Sequence, residues 1–207
     1  MNPPGAFQLF GIVTTNDGAT GPVTADSELV VFRDLGAVVK PCAYELPGDD
    51  ALPNYRRVVE SVFRQREILP APPGVVFRSR DILVQWLELH YFSLLDALVF
   101  VEERAMARIT IQRQQDGPGG PAPADYDGES KMLQDSLRVL RRHAAAAVGL
   151  DGEDDSPRTQ ISFLIHQDRW SLFADLVRRE NERFVDHRLE LSGPWPPYDF
   201  IRMQFSN

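Results

Sequence analysis

Four histidines, one cysteine and 30 acidic side chains are the groups in this 207-residue chain that could do chemistry. Metal binding or general acid–base work needs such groups gathered on one face by helix or strand spacing. His90, His143, His166 and His187 form no HxH or HExxH pattern, and no two of them share a helical face by spacing. Each reads as a structural or surface histidine. Cys42 stands in no pattern of a cysteine nucleophile and reads as a small half-buried thiol. Gly117-Pro-Gly-Gly120 lacks the Lys-Ser/Thr of a phosphate loop. The run Asp151-Gly-Glu-Asp-Asp155 lacks the spaced ligands and final glutamate of a calcium loop. Glu102 and Glu103 are adjacent and so cannot share a helix face as paired carboxylates. Arg141-Arg142 and Arg178-Arg179 read as exposed helix faces, open to an acidic partner. The residues therefore predict no catalytic, cofactor-binding or metal site.

Composition narrows the partners. With 43% apolar residues the chain can build a core. Its 22 basic and 30 acidic residues give a net charge of −8. No Lys/Arg block rises above the background, which argues against nucleic acid and against an anionic membrane surface. One cysteine excludes an intramolecular disulfide and, with no signal-peptide pattern, points to a reducing cytoplasm. The apolar run Ile82 to Val101 is broken by Gln85, Glu88, His90 and Asp96 and is not expected to span a membrane.

Periodicity sets out the elements. Phe7 to Thr14 is a β-branched and aromatic strand ended by the Gly/Asn/Asp-rich segment Asn16 to Pro22. Glu28 to Phe32 and Ala37 to Lys40 pair as a hairpin with Gly36 at or near its turn or a bulge, and Pro41 closes it. From Asn54, Tyr55, Val58, Val59, Val62 and Phe63 make a one-sided helical stripe. Ser79 caps a second helix whose stripe, from Ile82 through Leu83, Trp86, Leu87, His90, Tyr91, Leu94, Leu95 and Leu98 to Val99, predicts one rod of about 20 residues, roughly 30 Å. Arg108 to Gln112 alternates as a half-buried strand. Gln114 to Asp127 is a breaker-rich loop, and Asp127 caps a helix from about Glu129 to Val148 that stops at Gly149. After the acidic loop Asp151 to Pro157 come a strand over Gln160 to His166, a helix from Asp168, and a last strand Arg188 to Leu191.

These elements predict an α+β protein of two small sheet-plus-helix domains. The expected divisions are an N-terminal α/β domain over 1–78, a connecting helix over 79–102, an α+β domain over 103–191 in βαβαβ order, and a tail over 192–207. A ferredoxin-like split βαβ is the nearest simple topology for the second domain. The tail is the least generic stretch. Gly193, Pro194, Trp195, Pro196, Pro197, Tyr198 and Phe200 combine three prolines with three aromatics, so the backbone must be extended or turned, with rings suited to docking on an apolar surface. A clasp onto this protein's own domains is favoured over docking on another.

Leu191-Ser-Gly-Pro-Trp-Pro-Pro-Tyr-Asp-Phe200 resembles the C-terminal signature of the gas vesicle protein F/L family (GvpL/GvpF). Four further segments are similar to that family in order: Phe7 to Val13, Leu35 to Val39, Ile68-Leu-Pro70 through Gly74 and Phe77, and Glu103 through Ile111. The family's Arg-Phe-Gly-Thr is replaced here by Ala71-Pro-Pro-Gly74-Val-Val-Phe77. The resemblance implies a two-domain cytoplasmic accessory protein, without catalysis or cofactor, that associates with the small apolar gas vesicle shell protein and assists vesicle nucleation or assembly. Other gas vesicle accessory proteins are further partners it implies. The alternatives are an interaction module for another assembly, or a small-molecule-binding protein or enzyme using a cleft between the two domains.

Overall fold

The computed structural model describes residues 5–15, 27–42, 51–113, 126–150, 158–184, 187–201 and 203. They form two compact units: unit 1 holds Met1–Glu102 and Pro196–Asn207, and unit 2 holds Glu103–Trp195. The chain thus leaves unit 1 after Glu102 and returns to it at Pro196. The expected turn at 16–22 and the acidic loop at 151–157 lie outside the described residues, as does the breaker-rich loop up to residue 125.

In unit 1, β1 (Ala6–Thr14), β2 (Glu28–Phe32), β3 (Leu35–Cys42) and β4 (Leu69–Pro70) make an antiparallel sheet in the order β2-β3-β1-β4, and β5 (Val76–Phe77) also pairs with β1. Both faces of the sheet are covered, which is why its central strands read as unbroken apolar runs. Helix α1 (Ala51–Phe63) packs Tyr55, Val58, Val59 and Val62 with Phe10, Val13 and Val38. Helices α2 (Arg80–Leu89) and α3 (Tyr91–Val101) pack Leu83, Trp86, Leu87, Leu94 and Leu98 with Leu9, Ile12, Leu35, Ala37 and Val39. Leu9 and Ile12 reach the same core although they are three residues apart. A register shift between Leu9 and Gly11 reverses the alternation there. Gly11 is required at that point, because a Cβ would lie 2.5 Å from the Leu69 carbonyl oxygen.

The hairpin turn falls at Arg33–Asp34, with Arg33 at φ 53°, whereas Gly36 lies within β3, pairs with Val31 and faces crowded Leu29 and Thr15 atoms. Strand β3 also runs through Pro41, where an earlier end was expected.

The single rod expected over 79–102 is two helices bent by 74°. Ser79 caps α2 as expected, its hydroxyl accepting from the Ile82 N–H. The break is at His90, which has φ −103° and ψ 11°. Its ring stacks on Trp86 at 4.8 Å, and Nδ1 lies 2.9 Å from the Trp86 carbonyl oxygen. Each helix lays a face on the same sheet from its own side of the bend. Among the described residues no single helix is long and apolar enough to cross a membrane.

Unit 2 runs β6 (Arg104–Arg113), α4 (Tyr126–Arg141), β7 (Ala146–Leu150), β8 (Arg158–His166), a 3-10 turn at Gln167–Arg169, α5 (Trp170–Asn181) and β9 (His187–Trp195). The antiparallel sheet has the order β7-β8-β6-β9. The strand–helix order is therefore βαββαβ and not the expected βαβαβ. Helix α4 ends at Arg141, and Ala146–Leu150, expected as its last turn, pairs with β8 from Ala146↔Leu164 to Leu150↔Gln160. Alternate residues Ala107, Ile109 and Ile111 of β6 and Ile161, Phe163 and Ile165 of β8 meet Leu140 of α4 and Phe173 and Val177 of α5. Buried Glu180 joins the two helices: Ser136 Oγ donates to its carboxylate at 2.5 Å, and Arg183 pairs with it at 2.6 Å.

Candidate functional site

The signature residues divide between the two units. Gly193, Pro194 and Trp195 complete β9, an edge strand, where proline is tolerated because no partner strand needs its N–H. Gly193 has φ +124°. A Cβ there would lie 2.7 Å from the Met106 carbonyl oxygen and 2.7 Å from Trp170 Cη2. Trp195 pairs with Met106 across a bulge, is half-buried, and donates from Nε1 to Ser192 Oγ at 3.3 Å.

Pro196 and Pro197 are buried, and the chain turns there, with the Tyr198 N–H donating to the Pro196 carbonyl at 2.8 Å and the Phe200 N–H to that of Pro197 at 3.2 Å. The turn sets the Tyr198 ring 6.4 Å from that of Tyr55, which in turn stacks on Phe10 at 6.1 Å. Ile201 and Met203 follow and pack against the α2–α3 side of the unit 1 core. The Tyr55 hydroxyl donates to the Ala71 carbonyl, while the Tyr198 hydroxyl oxygen is buried without a hydrogen-bond partner. Burial pushes both phenols well above their ordinary range; the Tyr198 ring adds to this at Tyr55, and Glu60 adds to it at Tyr198.

The chemistry-bearing groups are scattered. His166 lies between two carboxylates, Asp168 Oδ1 at 2.7 Å from Nδ1 and Glu103 Oε2 at 3.2 Å from Nε2, all three solvent-accessible. His90 is taken up by Trp86, and His187 meets the Phe184 ring edge-on at 6.1 Å. Burial raises the Cys42 thiol, so it gains no thiolate character, and a backbone hydrogen bond at Gln8 opposes this only in part. Among the described residues no three His, Cys, Asp or Glu side chains come together as metal ligands. An open depression is lined by Leu52, Pro53, Arg56, Arg57 and Glu60 of α1 and by Arg64 just beyond it, with Glu60 the one carboxylate among these residues.

What the structure does gather is apolar surface. On α2, Ile82 is 47% exposed and Leu89 80%; on α3, Phe92 is 75% exposed and Val99 66%. Both pairs are seven residues apart and so lie on one stripe of their helix. Leu89 and Phe92 flank the bend at His90. Beside them Tyr91 donates from its hydroxyl to Asp34 at 2.7 Å, and the Arg33 guanidinium sits 5.2 Å from the Tyr91 ring centre and 5.3 Å from that of Phe32. A single buried stripe would place Ile82 and Val99 inside, and the structure places both in solvent. The signal in the sequence is Leu89 and Phe92, large apolar residues lying off that stripe.

The sequence model of the family described as "Gas vesicle synthesis protein GvpL/GvpF" matches residues 7–117 and 127–202. The fold is similar to the crystal structure of the gas vesicle protein GvpF from Anabaena sp. PCC7120, with a TM-score of 0.77 and 15% sequence identity over 97% of this chain and 100% of that one. GvpF from Microcystis aeruginosa gives a TM-score of 0.71 and 15% identity over 96% of this chain and 99% of that one. No curated protein sequence matches the chain.

Proposed function

The chain belongs to the gas vesicle synthesis protein GvpL/GvpF family, and from that premise we propose that it is a non-enzymatic cytoplasmic accessory protein that binds the small apolar gas vesicle shell protein and assists nucleation and assembly. A role in gas vesicle formation follows from the family; the shell-protein partner is our reading. The observation that carries it is the exposed apolar face on α2 and α3, with Leu89 and Phe92 largely in solvent on a chain of net charge −8. Large exposed apolar residues next to one another mark an interaction surface. An apolar shell subunit is a self-association hazard until its surface is covered, and shielding it requires an apolar face on a soluble carrier. The strand order β7-β8-β6-β9 with both helices contributing to one core supports reading unit 2 as a ferredoxin-like scaffold.

Co-expression with the shell protein tests this. A co-purifying complex is expected, weakened by Phe92→Ser. A soluble chain that leaves soluble shell protein unbound refutes the proposal.

A further inference from the structure

The charges around the exposed face on α2 and α3 define what can cover it. Asp81, Glu88 and Asp96 are all solvent-exposed, and none makes an ion pair among the described residues. Asp81 immediately precedes Ile82, Glu88 immediately precedes Leu89, and Asp96 lies one turn beyond Phe92. Arg80 is the basic residue on the two helices, and Arg33 stands beside the bend, held over the Phe32 and Tyr91 rings next to Asp34. The face is thus an apolar pair of stripes edged by unneutralised carboxylates. A second copy of the chain would set these carboxylates against their own counterparts, and an anionic lipid surface would repel them. A partner bearing cations beside its apolar groups meets both features at once.

Spacing adds the shape. Ile82 to Leu89 and Phe92 to Val99 each span two helical turns, about 10.5 Å. With the two helices bent by 74°, a partner helix follows one stripe and crosses the other near Leu89 and Phe92, and along the stripe it follows the repeat matches its own i, i+7 positions.

We propose that the Ile82, Leu89, Phe92 and Val99 face receives an amphipathic helix of the partner whose apolar stripe is flanked by lysine or arginine. The proposal rests on the shell-binding reading only for the identity of that partner. Two synthetic peptides of about 18 residues, five turns, serve as probes: both carry one leucine stripe, flanked by lysine in the first and by glutamate in the second. Against the full chain, the lysine peptide is expected to bind at least about tenfold more tightly, and about 0.5 M salt should shrink the difference. The triple variant Asp81→Asn, Glu88→Gln, Asp96→Asn should remove most of the difference, whereas Phe92→Ser should weaken both peptides. Equal binding of the two peptides overturns the proposal, as does binding untouched by these variants. Capture by anionic lipid vesicles, or self-association abolished by Phe92→Ser, also overturns it. Shell protein that co-purifies equally with wild type and with the triple carboxylate variant overturns this inference and leaves the shell-binding reading standing. Failure of wild type to co-purify the shell protein, with the lysine peptide still bound, sinks only that reading.

Discussion

Replacing Gly193 by alanine adds one methyl group and should disable the end of β9. The position has φ +124°, which costs a non-glycine residue on the order of 1–3 kcal/mol. The added Cβ would also stand 2.7 Å from the Met106 carbonyl oxygen. That oxygen is backbone in β6, held between β8 and β9, and cannot withdraw as a flexible side chain would. Trp170 Cη2, also at 2.7 Å, belongs to a ring packed against the unit 2 core. Overpacking of this kind adds about 1–3 kcal/mol. The expected loss is about 3 kcal/mol or more, a fall in melting temperature of about 6–12 °C for a chain of this size. Gly149→Ala is the control. That glycine lies on β7 with nothing within 4 Å of where the new methyl would stand, so the same substitution there should stabilise by about 0.5 kcal/mol. Urea unfolding of unit 2 followed by Trp170 and Trp195 fluorescence reads both. A Gly193→Ala protein within about 0.5 kcal/mol of wild type would refute the argument, because neither strain nor contact would then have been present.

Tyr198→Phe should stabilise unit 1 by about 0.5–1 kcal/mol, since the lost hydroxyl is buried without a partner, whereas Tyr55→Phe should cost about 1 kcal/mol with its bond to the Ala71 carbonyl; thermal melts of the two variants should move in opposite directions. Trp195→Ala should cost about 1–2 kcal/mol, less than a fully buried indole, because the ring is half-exposed; chemical denaturation measures it. Alkaline pH should destabilise unit 1. The unfolded chain releases its phenolic protons near pH 10, while burial keeps them on Tyr55 and Tyr198 in the fold, so the unfolded state binds fewer protons and stability falls as pH rises past about 10. Phenolate absorbance should appear together with loss of the fold, and Tyr55→Phe should flatten the dependence.

Much of the fold was legible because burial wrote it into the pattern. β1 and β3 are covered on both faces and read as apolar runs, and β8 and β6 alternate because one core takes every second residue. β7 was not legible. Leu133, Leu137, Leu140, Ala144 and Ala147 continue a helical spacing past Arg141, and alanine carries no preference for strand. Pairing with β8 decides that segment, a tertiary effect that no local window contains. The break at His90 carries no proline or glycine either. The competition between one straight helix and two that both reach the sheet is settled by packing on a surface assembled from distant residues. In the tail, three prolines made an extended or turned backbone certain, while its partition between the two units depends on what β6 and α1 present. The exposed face on α2 and α3 was hidden by the assumption that apolar residues at helical spacing point inward.

Because unit 2 is inserted into unit 1, the order in which the units can be finished differs from the order in which they begin. During synthesis most of unit 1 precedes unit 2, yet Tyr198, Ile201 and Met203, which pack into its core, emerge only after the whole of unit 2. The inserted unit has every residue it needs once Trp195 has emerged. A nascent chain halted just after that point therefore carries a complete second unit and a first one still lacking its closing side chains. A stop codon placed between Trp195 and Tyr198 injures the unit begun before the insertion.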